Sequence, residues 1–218
     1  MKLYSYWRSS CAYRVRIVLA LKGVPYEYVP IDIQPGASAQ QSDAYAAINP
    51  MQQVPTLEWT VGHDVVRLTQ SVAIAELLDE LHPDPPLIPR QLLARARVRE
   101  AVEVVNAGIQ PLQNTSVLVE LRRLDGEEAA RRWAARVMAQ GLVALETHAR
   151  RGTGRFLVGD APTLADAFLV PQLYNARRFG VVLDAYPRLV AIDEAAAALP
   201  AFARARPEAQ PDAVAASS

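Results

Sequence analysis

The segment from His82 to Pro89 divides the chain into two parts with different patterns. It contains four prolines in eight residues, which excludes a helix or a central strand there. Before it, signals for strands and helices alternate, and after it only helical segments follow. Strands and helices followed by helices alone predict two separate domains. We place these domains at residues 1–82 and 91–206, joined by a linker at residues 83–90.

The first part is predicted to have the order βαβ, a short helix and then ββα. Gly23 and Pro25 end the first helical pattern, because glycine favours the left-handed conformation that follows a helix and proline cannot continue one. A turn at Val61-Gly62-His63 predicts a hairpin. The predicted elements are, in order, a strand at Lys2–Tyr6, a helix at Cys11–Lys22, a strand at Tyr26–Ile31, a short helix at Gln40–Ile48, strands at Thr56–Trp59 and Asp64–Leu68, and a helix from Thr69 or Gln70 to Leu81.

The second part is predicted to be helical throughout. Its segments are separated by turns that contain glycine or proline, and lie at Leu92–Leu118, Glu127–Arg150, Thr163–Phe179 and Pro187–Leu199. Thr163 and Asp166 have the spacing of a capping box, which we interpret as a structural feature only. Residues 207–218 are small and polar and include prolines, so we predict a disordered tail there.

Composition limits the partners and the compartment. The 23 basic residues balance the 23 acidic ones, so we expect neither nucleic acid nor a membrane surface as a partner. A single cysteine excludes an internal disulfide and favours a reducing compartment, which we take to be the cytoplasm. No long apolar run or signal-peptide pattern is present, and the three histidines lack a second ligand at metal spacing. We therefore expect no metal site.

Two hydroxyls and the only thiol stand at the beginning of the first predicted helix, in Ser9, Ser10 and Cys11. The N-terminal end of a helix has unpaired N–H groups and a positive partial charge, so it favours an anion such as a thiolate. A hydroxyl there can donate a hydrogen bond to that thiolate. Two structural alternatives stay open: one serine simply caps the helix, and the cysteine is a small core residue.

Two further turns are candidate ligand-binding points. A cis bond between Val54 and Pro55 would turn the backbone groups of Val54 outward, where they could pair with a peptide-like ligand as a strand does. A trans bond is the more common alternative. Gln70 and Ser71 begin the third predicted helix, whose N–H groups suit a small carboxylate, and a plain helix cap is the alternative there.

Arg177 and Arg178 lie in the last turn of the helix predicted at residues 163–179. Arginines in that place can offset the negative end of the helix dipole. One of them could instead face a cleft and hold a substrate carboxylate. We favour the first role for Arg177 and leave Arg178 open.

Taken together, five segments resemble the glutathione transferases, and in particular the zeta class, which includes maleylacetoacetate isomerases. The VPTL and Gln-Ser elements are general to glutathione transferases, whereas the SSCxxRVRI and GIQPLQN elements are typical of the zeta class. The resemblance extends from Lys2 to about Asp212. The segments that carry it are SSCAYRVRIVLALKG at 9–23, NPMQQVPTL at 49–57, QSVAIAELLDE at 70–80, GIQPLQN at 108–114 and GDAPTLADAFLVPQLYNARRFGV at 159–181.

The resemblance implies a glutathione transferase fold, with an α/β thioredoxin-like N-terminal domain, an all-α C-terminal domain and the cofactor glutathione bound in the cleft between them. It also implies that the bond before Pro55 is cis. By position, Val54 would pair with the cysteinyl backbone of glutathione, and Gln70 with Ser71 would hold its γ-glutamyl end. The other positions that match the glutathione-binding cleft are Gln40, Gln110, Asn114, Thr115 and Ser116.

The catalytic group is implied by the same resemblance. Ser9, with Ser10 as the alternative, would be the hydroxyl that stabilises the glutathione thiolate. Cys11 would lie close by and modulate binding without being the essential nucleophile. Arg8 and Arg178 match arginines near the acidic substrate.

The activity implied is the cis–trans isomerisation of maleylacetoacetate to fumarylacetoacetate, with general glutathione transferase activity. A thiolate that adds reversibly to the conjugated double bond leaves a single bond that can rotate, and its elimination then gives the trans product. The substrate is therefore an unsaturated diacid. The resemblance also implies a homodimer in the cytoplasm and a place in tyrosine and other aromatic amino acid degradation.

Several alternatives stay open. A maleylpyruvate isomerase has the same fold and a similar C-terminal ARRF…YP…AF…AQPD stretch. Dehalogenation of small α-halo acids is compatible with the same site. A non-catalytic binding module would be expected to lack the serine hydroxyl or the Gln-Ser pair, and both are present. A thioredoxin-like reductase is disfavoured because Cys11 has no partner in a Cys-X-X-Cys motif.

Overall fold

The computed structural model describes residues 1–34 and 36–213, and residue contacts divide it into two compact units. The first unit comprises Met1–Pro85 together with the described residues from Leu199 onward, and the second comprises Pro86–Ala198. The division after Pro85 falls within the proline-rich segment that we predicted as a linker. The roles assigned to the two domains stay a prediction.

The first unit is built on a four-stranded mixed sheet in the order β2-β1-β3-β4. Strand β1 is parallel to β2 and antiparallel to β3, and β3 pairs with β4 as an antiparallel hairpin. This arrangement confirms the predicted α/β thioredoxin-like domain. Its elements are β1 (Lys2–Ser5), α1 (Ser10–Lys22), β2 (Glu27–Pro30), α2 (Asp43–Ala46), β3 (Thr56–Val61), β4 (Asp64–Thr69) and α3 (Ser71–Leu81).

Local signals set the ends of α1. Ser9 is its N-cap, and its side chain accepts a hydrogen bond from the N–H of Ala12. Gly23 is its C-cap in the left-handed conformation, with φ of 65°, which glycine adopts without a steric cost. Arg14 and Arg16 of this helix are fully buried. Because buried charges need polar partners, α1 must be anchored by hydrogen bonds as well as by apolar packing.

The C-terminal segment belongs to the first unit, which differs from both the predicted 91–206 domain and the predicted tail. Helix α8 (Pro200–Ala205) packs on α1, and a short 3-10 turn follows at Pro207–Ala209. Gln210 is buried and donates hydrogen bonds to the carbonyls of Arg204 and Arg206. The prediction of disorder is therefore wrong for residues 207–213, because their composition did not reveal this packing. Residues 214–218 lie outside the described residues.

The second unit is all-α, as predicted. The prediction of one helical segment at Leu92–Leu118 is wrong, because a π-helical turn at Val104–Ile109 and a 3-10 turn at Gln110–Gln113 interrupt it. The next helix begins at Thr115 rather than Glu127 and continues past a break at Gly126. The helices are α4 (Leu92–Glu103), α5 (Thr115–Arg151), α6 (Leu164–Arg178) and α7 (Pro187–Ala197).

The capping box at the start of α6 is confirmed. Thr163 is the N-cap, and the Asp166 carboxylate accepts hydrogen bonds from the backbone N–H and the hydroxyl of Thr163. It also accepts one from the N–H of Leu157. Burial raises the pKa of Asp166 to about 6, although these hydrogen bonds act in the opposite direction. The box therefore ties the preceding loop to the helix.

Candidate active site

The register of the sheet brings three of the predicted site segments to one end of the first unit. Thr56, the first residue of β3, pairs with both Tyr4 of β1 and Thr69 of β4. The C-terminal ends of β1 and β4 and the N-terminal end of β3 therefore lie side by side. The segments that project from this end are Arg8–Cys11, Val54–Pro55 and Gln70–Ser71.

Ser9 has the geometry of both a helix cap and a hydroxyl donor. Its Oγ accepts a hydrogen bond from the Ala12 N–H at 3.2 Å, so a lone pair of the oxygen is used. The hydroxyl proton has no acceptor among the described residues. Because a serine hydroxyl has one proton to donate besides its lone pairs, capping leaves that proton available for an anion at the helix end. The two roles that the sequence presented as alternatives are therefore compatible.

Ser10, Cys11 and Arg8 flank this cap. Ser10 is the first helical residue and Cys11 the second, and both are half-buried. Cys11 is a free thiol and is not the core residue of the structural alternative. Arg8 lies with its guanidinium carbon 4.7 Å from the centre of a Trp7 ring, and it donates a hydrogen bond to Gln34 at 3.5 Å. The thiol and this cation therefore lie within two residues of the Ser9 hydroxyl.

The bond between Val54 and Pro55 is cis, which confirms that prediction. The preceding carbonyl, of Gln53, is held by the Tyr45 hydroxyl at 2.7 Å and by the Asn49 amide at 2.6 Å. Val54 is buried, yet neither its N–H nor its C=O takes part in a hydrogen bond among the described residues. Because buried backbone groups are almost always paired, these two groups suit the backbone of a ligand.

Gln70 and Ser71 begin α3 in an unusual conformation. Gln70 has φ of 71° and ψ of 115°, a positive φ that is uncommon for a residue other than glycine, and its side chain does not cap the helix. Ser71 is buried, and its Oγ accepts a hydrogen bond from Arg14 at 3.1 Å. The exposed Gln70 side chain and the first N–H groups of α3 therefore remain open to a ligand carboxylate.

Gln40 lies in a 3-10 turn at Ala39–Gln41, on the loop that follows β2. Its side-chain carbonyl is buried without a hydrogen-bond partner. Gln34 of the same loop accepts the hydrogen bond from Arg8, so this loop lies beside the candidate site. A buried acceptor without a partner is costly, so a bound donor would stabilise it.

The predicted residues of the second unit gather at the start of α5. Gln110 begins the 3-10 turn, Asn114 caps α5 by accepting the N–H of Thr115 at 2.7 Å, and Thr115 and Ser116 are exposed. The turn is anchored by a buried amide pair of Gln113 and Gln172 at 2.9 Å and by the Trp133 indole, which donates to the Leu112 carbonyl. These anchors fix the turn within its own unit.

The two arginines at the end of α6 differ in their partners. Arg177 forms an ion pair with Asp193 of α7 at 2.7 Å, which agrees with the structural role that we favoured. Arg178 is exposed and donates a hydrogen bond to Asn175 at 3.2 Å. Its guanidinium carbon lies 5.8 Å from the centre of the Phe179 ring. Both side chains are exposed at the end of α6.

Several residues that shape the site were not singled out from the sequence. Arg14 reaches Ser71 from α1, Tyr45 holds the loop before Val54, and Gln113 anchors the turn before α5. Asp212 accepts a hydrogen bond from the backbone N–H of Trp7. The signal available for Arg14 was a basic residue among apolar ones in the first predicted helix. No local signal in the sequence indicated the hydrogen-bond partners of the other three residues.

Two features are absent from the described residues. Across residues 1–34 and 36–213, no group of three or more His, Cys, Asp or Glu side chains could hold a metal ion. Within the same part of the chain, no helix is both long enough and apolar enough to cross a membrane.

Comparison with known proteins places these features in a family. Residues 1–80 match the family model of the glutathione S-transferase N-terminal domain, and residues 119–205 match that of the C-terminal domain. The chain is 46% identical over 213 residues to a maleylacetoacetate isomerase from Pseudomonas aeruginosa, and the match covers 97% of this chain and 98% of that protein.

Solved structures give the same result. A maleylacetoacetate isomerase from Anaeromyxobacter dehalogenans 2CP-1 with bound glutathione is 54% identical, with a TM-score of 0.90 and coverage of 98% of this chain and 97% of that one. Its structure with bound dicarboxyethyl glutathione and citrate has 53% identity, a TM-score of 0.89 and coverage of 98% and 93%. A zeta-class maleylpyruvate isomerase in its holo form is 44% identical, with a TM-score of 0.92 and coverage of 98% and 100%. The chain therefore belongs to the glutathione S-transferase family, within the zeta class that contains the maleylacetoacetate isomerases.

Proposed function

We propose that this protein is a glutathione-dependent cis–trans isomerase whose substrate is maleylacetoacetate. The observation that carries the proposal is the Ser9 hydroxyl, which caps α1 through its oxygen and keeps its proton available at the positive end of the helix. General glutathione transferase activity follows from the same site. The relatives with bound glutathione and with its dicarboxyethyl adduct support both the cofactor and a diacid substrate.

The residues at the sheet end fit glutathione in three respects. The unpaired backbone groups of Val54 match the peptide backbone of the tripeptide. The N-terminus of α3, with Gln70 and Ser71, suits its γ-glutamyl carboxylate. The N-terminus of α1 suits a thiolate. We propose Gln40, Gln110, Asn114, Thr115 and Ser116 as further contacts of glutathione or of the substrate.

The chain supplies the environment that makes a thiol reactive. When bound, glutathione supplies a thiolate that adds to the conjugated double bond and is expelled after the new single bond has rotated. Ser9 donates a hydrogen bond to the sulfur, and the α1 dipole favours its negative charge, so together they lower the pKa of the thiol. Ser10 and Cys11 line the same helix end, and we propose that Cys11 modulates binding only.

Cations complete the site by holding a substrate with two carboxylates. We propose that Arg8 and Arg178 bind these carboxylates and stabilise the negative charge that develops on the conjugated carbonyl group. The Arg8 guanidinium is steadied by Trp7 and Gln34, which limits the number of orientations that it can adopt. Positioning of this kind lowers the entropic part of the barrier.

The second candidate substrate is maleylpyruvate, and the 44% identity to a zeta-class maleylpyruvate isomerase favours it. The two diacids share the cis double bond and the carboxylates, so the site described above accommodates the chemistry of both. The preference between the two substrates depends on the length of diacid that the site accepts. We propose maleylacetoacetate as the better substrate because the SSC and GIQPLQN elements agree better with those isomerases.

The test is a steady-state assay of both diacids with and without glutathione. We expect isomerisation only when glutathione is present, with the higher kcat/KM for maleylacetoacetate. A higher kcat/KM for maleylpyruvate would reverse the order of the two substrates. Absence of glutathione binding in a calorimetric titration would favour the non-catalytic binding module and overturn the proposal.

We propose that the protein is a cytoplasmic homodimer and that it acts in tyrosine and other aromatic amino acid degradation. The zeta-class family supports the dimer, and the free thiol of Cys11 is compatible with a reducing compartment. Light scattering of the purified protein tests the dimer. Accumulation of maleylacetoacetate in cells that lack this protein tests the place in degradation.

A further inference from the structure

The backbone of Trp7 is held from two sides. Its N–H donates a hydrogen bond to Oδ2 of Asp212 at 3.1 Å, and its C=O accepts one from Arg16 at 2.8 Å. Trp7 lies in the turn between β1 and α1, where the Ser9 N–H donates to the Tyr6 carbonyl at 3.0 Å. A rotation of the Trp7 peptide groups would therefore move the end of the turn that carries Ser9.

Asp212 is itself oriented by β2. Its Oδ1 accepts a hydrogen bond from the Tyr28 hydroxyl at 2.6 Å, so each carboxylate oxygen has a different partner. Burial, and next the hydrogen bond to Asp212, raise the pKa of the Tyr28 phenol and so favour the protonated form that donates to Asp212. The adjacent Ala213 packs against a buried cluster that includes Tyr6 and Trp7. The carboxylate is thus fixed on both sides.

Arg16 joins the same turn to the C-terminal segment from inside the unit. Besides Trp7, this fully buried guanidinium donates to the Ala205 carbonyl of α8 at 3.1 Å and to the Tyr6 carbonyl at 3.2 Å. It therefore binds carbonyls of the turn and of α8 at the same time. The turn before Ser9 is held by Arg16 through its carbonyls and by Asp212 through an N–H.

We propose that Asp212 is a positioning residue for catalysis: the C-terminal segment fixes the Trp7 peptide and, through the turn, the direction of the Ser9 hydroxyl. The catalytic consequence rests on the proposed function, because it assumes that Ser9 stabilises a thiolate. The clamp on Trp7 does not depend on that assumption. Loss of the Asp212 carboxylate should leave the glutathione contacts in place and change only the orientation of the Ser9 hydroxyl.

The variants are Asp212→Ala, Asp212→Asn and Tyr28→Phe. Alanine removes both hydrogen bonds, asparagine keeps an acceptor for the Trp7 N–H, and phenylalanine removes only the hydroxyl that orients Asp212. Tyr28→Phe preserves the shape of the ring and is the variant least able to disturb folding. Glu27→Gln is the matched control. Glu27 is an exposed acid next to Tyr28, and its replacement removes one negative charge, as each of the two Asp212 variants does.

Four measurements define the outcome. In Asp212→Ala we expect kcat to fall by roughly tenfold to a hundredfold while the Kd for glutathione changes little. We expect the pKa of the bound thiol, followed by ultraviolet absorbance of the thiolate, to rise. Amide exchange should increase in a peptide that covers residues 6–9. Asp212→Asn and Tyr28→Phe should give smaller changes in the same directions, and Glu27→Gln should match the wild type.

Other results would overturn the inference. A thiol pKa and kcat equal to those of the wild type in Asp212→Ala would show that the carboxylate does not direct Ser9. Unchanged exchange in residues 6–9 would show that it does not hold Trp7. If the wild-type protein itself produced no thiolate with glutathione, the proposed function would fail, and the exchange measurement would still decide whether the clamp exists.

Discussion

The Arg14 guanidinium donates a hydrogen bond to Ser71 Oγ at 3.1 Å, and both residues are buried. This bond joins α1, which begins beside Ser9, to α3, which begins beside Gln70. The two helix N-termini at the sheet end are therefore held relative to each other by a bond inside the unit. In the proposed function, one N-terminus binds the thiolate and the other binds the γ-glutamyl carboxylate, so their separation must match the length of one tripeptide.

Replacing Ser9 by alanine should lower turnover by roughly a hundredfold, because a donor to the developing anion is lost. The Kd for glutathione should change less, since the backbone contacts remain. Loss of the helix cap should also lower the free energy of unfolding by about 1 kcal/mol. Steady-state kinetics, calorimetric titration and denaturation measure the three quantities.

The controls for Ser9 are Ser10→Ala and Cys11→Ala. Ser10 is the first residue inside the helix, and Cys11 is proposed to modulate binding without being the nucleophile. Both variants should therefore keep substantial activity. Full activity of Ser9→Ala together with an inactive Ser10→Ala or Cys11→Ala would mean that the catalytic group had been assigned to the wrong side chain.

Replacing Arg178 by alanine should raise the KM for a dianionic diacid by about tenfold, which is the usual effect of losing one charge-assisted hydrogen bond. The kcat should change less than KM. The control is Arg177→Ala, which removes the ion pair with Asp193 and should alter stability but not KM. Equal KM values for the wild type and Arg178→Ala would remove Arg178 from the substrate site.

Glu58 should make stability depend on pH at acidic values. Its carboxylate accepts a hydrogen bond from Arg67, its cross-strand neighbour, at 2.7 Å and another from the Tyr4 hydroxyl at 3.2 Å. The hydrogen bond from Arg67 is the largest cause of a folded-state pKa below the ordinary value for glutamate. Since the unfolded chain then binds the proton more readily, this stabilisation is present above the unfolded-state pKa and is lost as pH falls through the folded-state pKa.

The variant that tests this is Glu58→Gln, which should unfold more easily at neutral pH by about 1 kcal/mol. The difference between wild type and variant should shrink as the pH is lowered below the unfolded pKa of glutamate. Urea denaturation across acidic and neutral pH measures it. A difference that stays constant over that range would contradict the assignment to Glu58.

Gly141 of α5 allows a close approach to Ile109, the last residue of the π-helical turn. A Cβ at position 141 would overlap Cδ1 and Cγ1 of the fully buried Ile109 side chain. Gly141→Ala should therefore lower the free energy of unfolding by about 1–3 kcal/mol through overpacking. In Gly141→Ala with Ile109→Val, the missing methyl should relieve part of the overlap, so the double variant should lose less than the sum of the single ones.

Local sequence patterns predicted most of the first unit. Ser9 and Gly23 set the ends of α1, and two strand segments separated by a turn at Gly62 set the β3–β4 hairpin. The second unit was less predictable, because apolar periodicity continued through residues 104–114, where the helix is interrupted. Gly108 and Pro111 were local signals for that interruption. The close contact between Gly141 and Ile109 and the buried pair of Gln113 and Gln172 are tertiary features that no local pattern reveals.

The sequence by itself determined the order of strands and helices in the first unit and the α/β and all-α parts, because caps, turn residues and periodicity act over a few neighbouring positions. It indicated the family through the resemblance of five segments to the zeta-class glutathione transferases. Only the tertiary structure decided that the segment after Leu199 returns to the first unit and that Asp212 holds Trp7. The physical reason is that the partners in the Arg14–Ser71 and Trp7–Asp212 bonds are 57 and 205 positions apart. Such pairs depend on the packing of the whole unit.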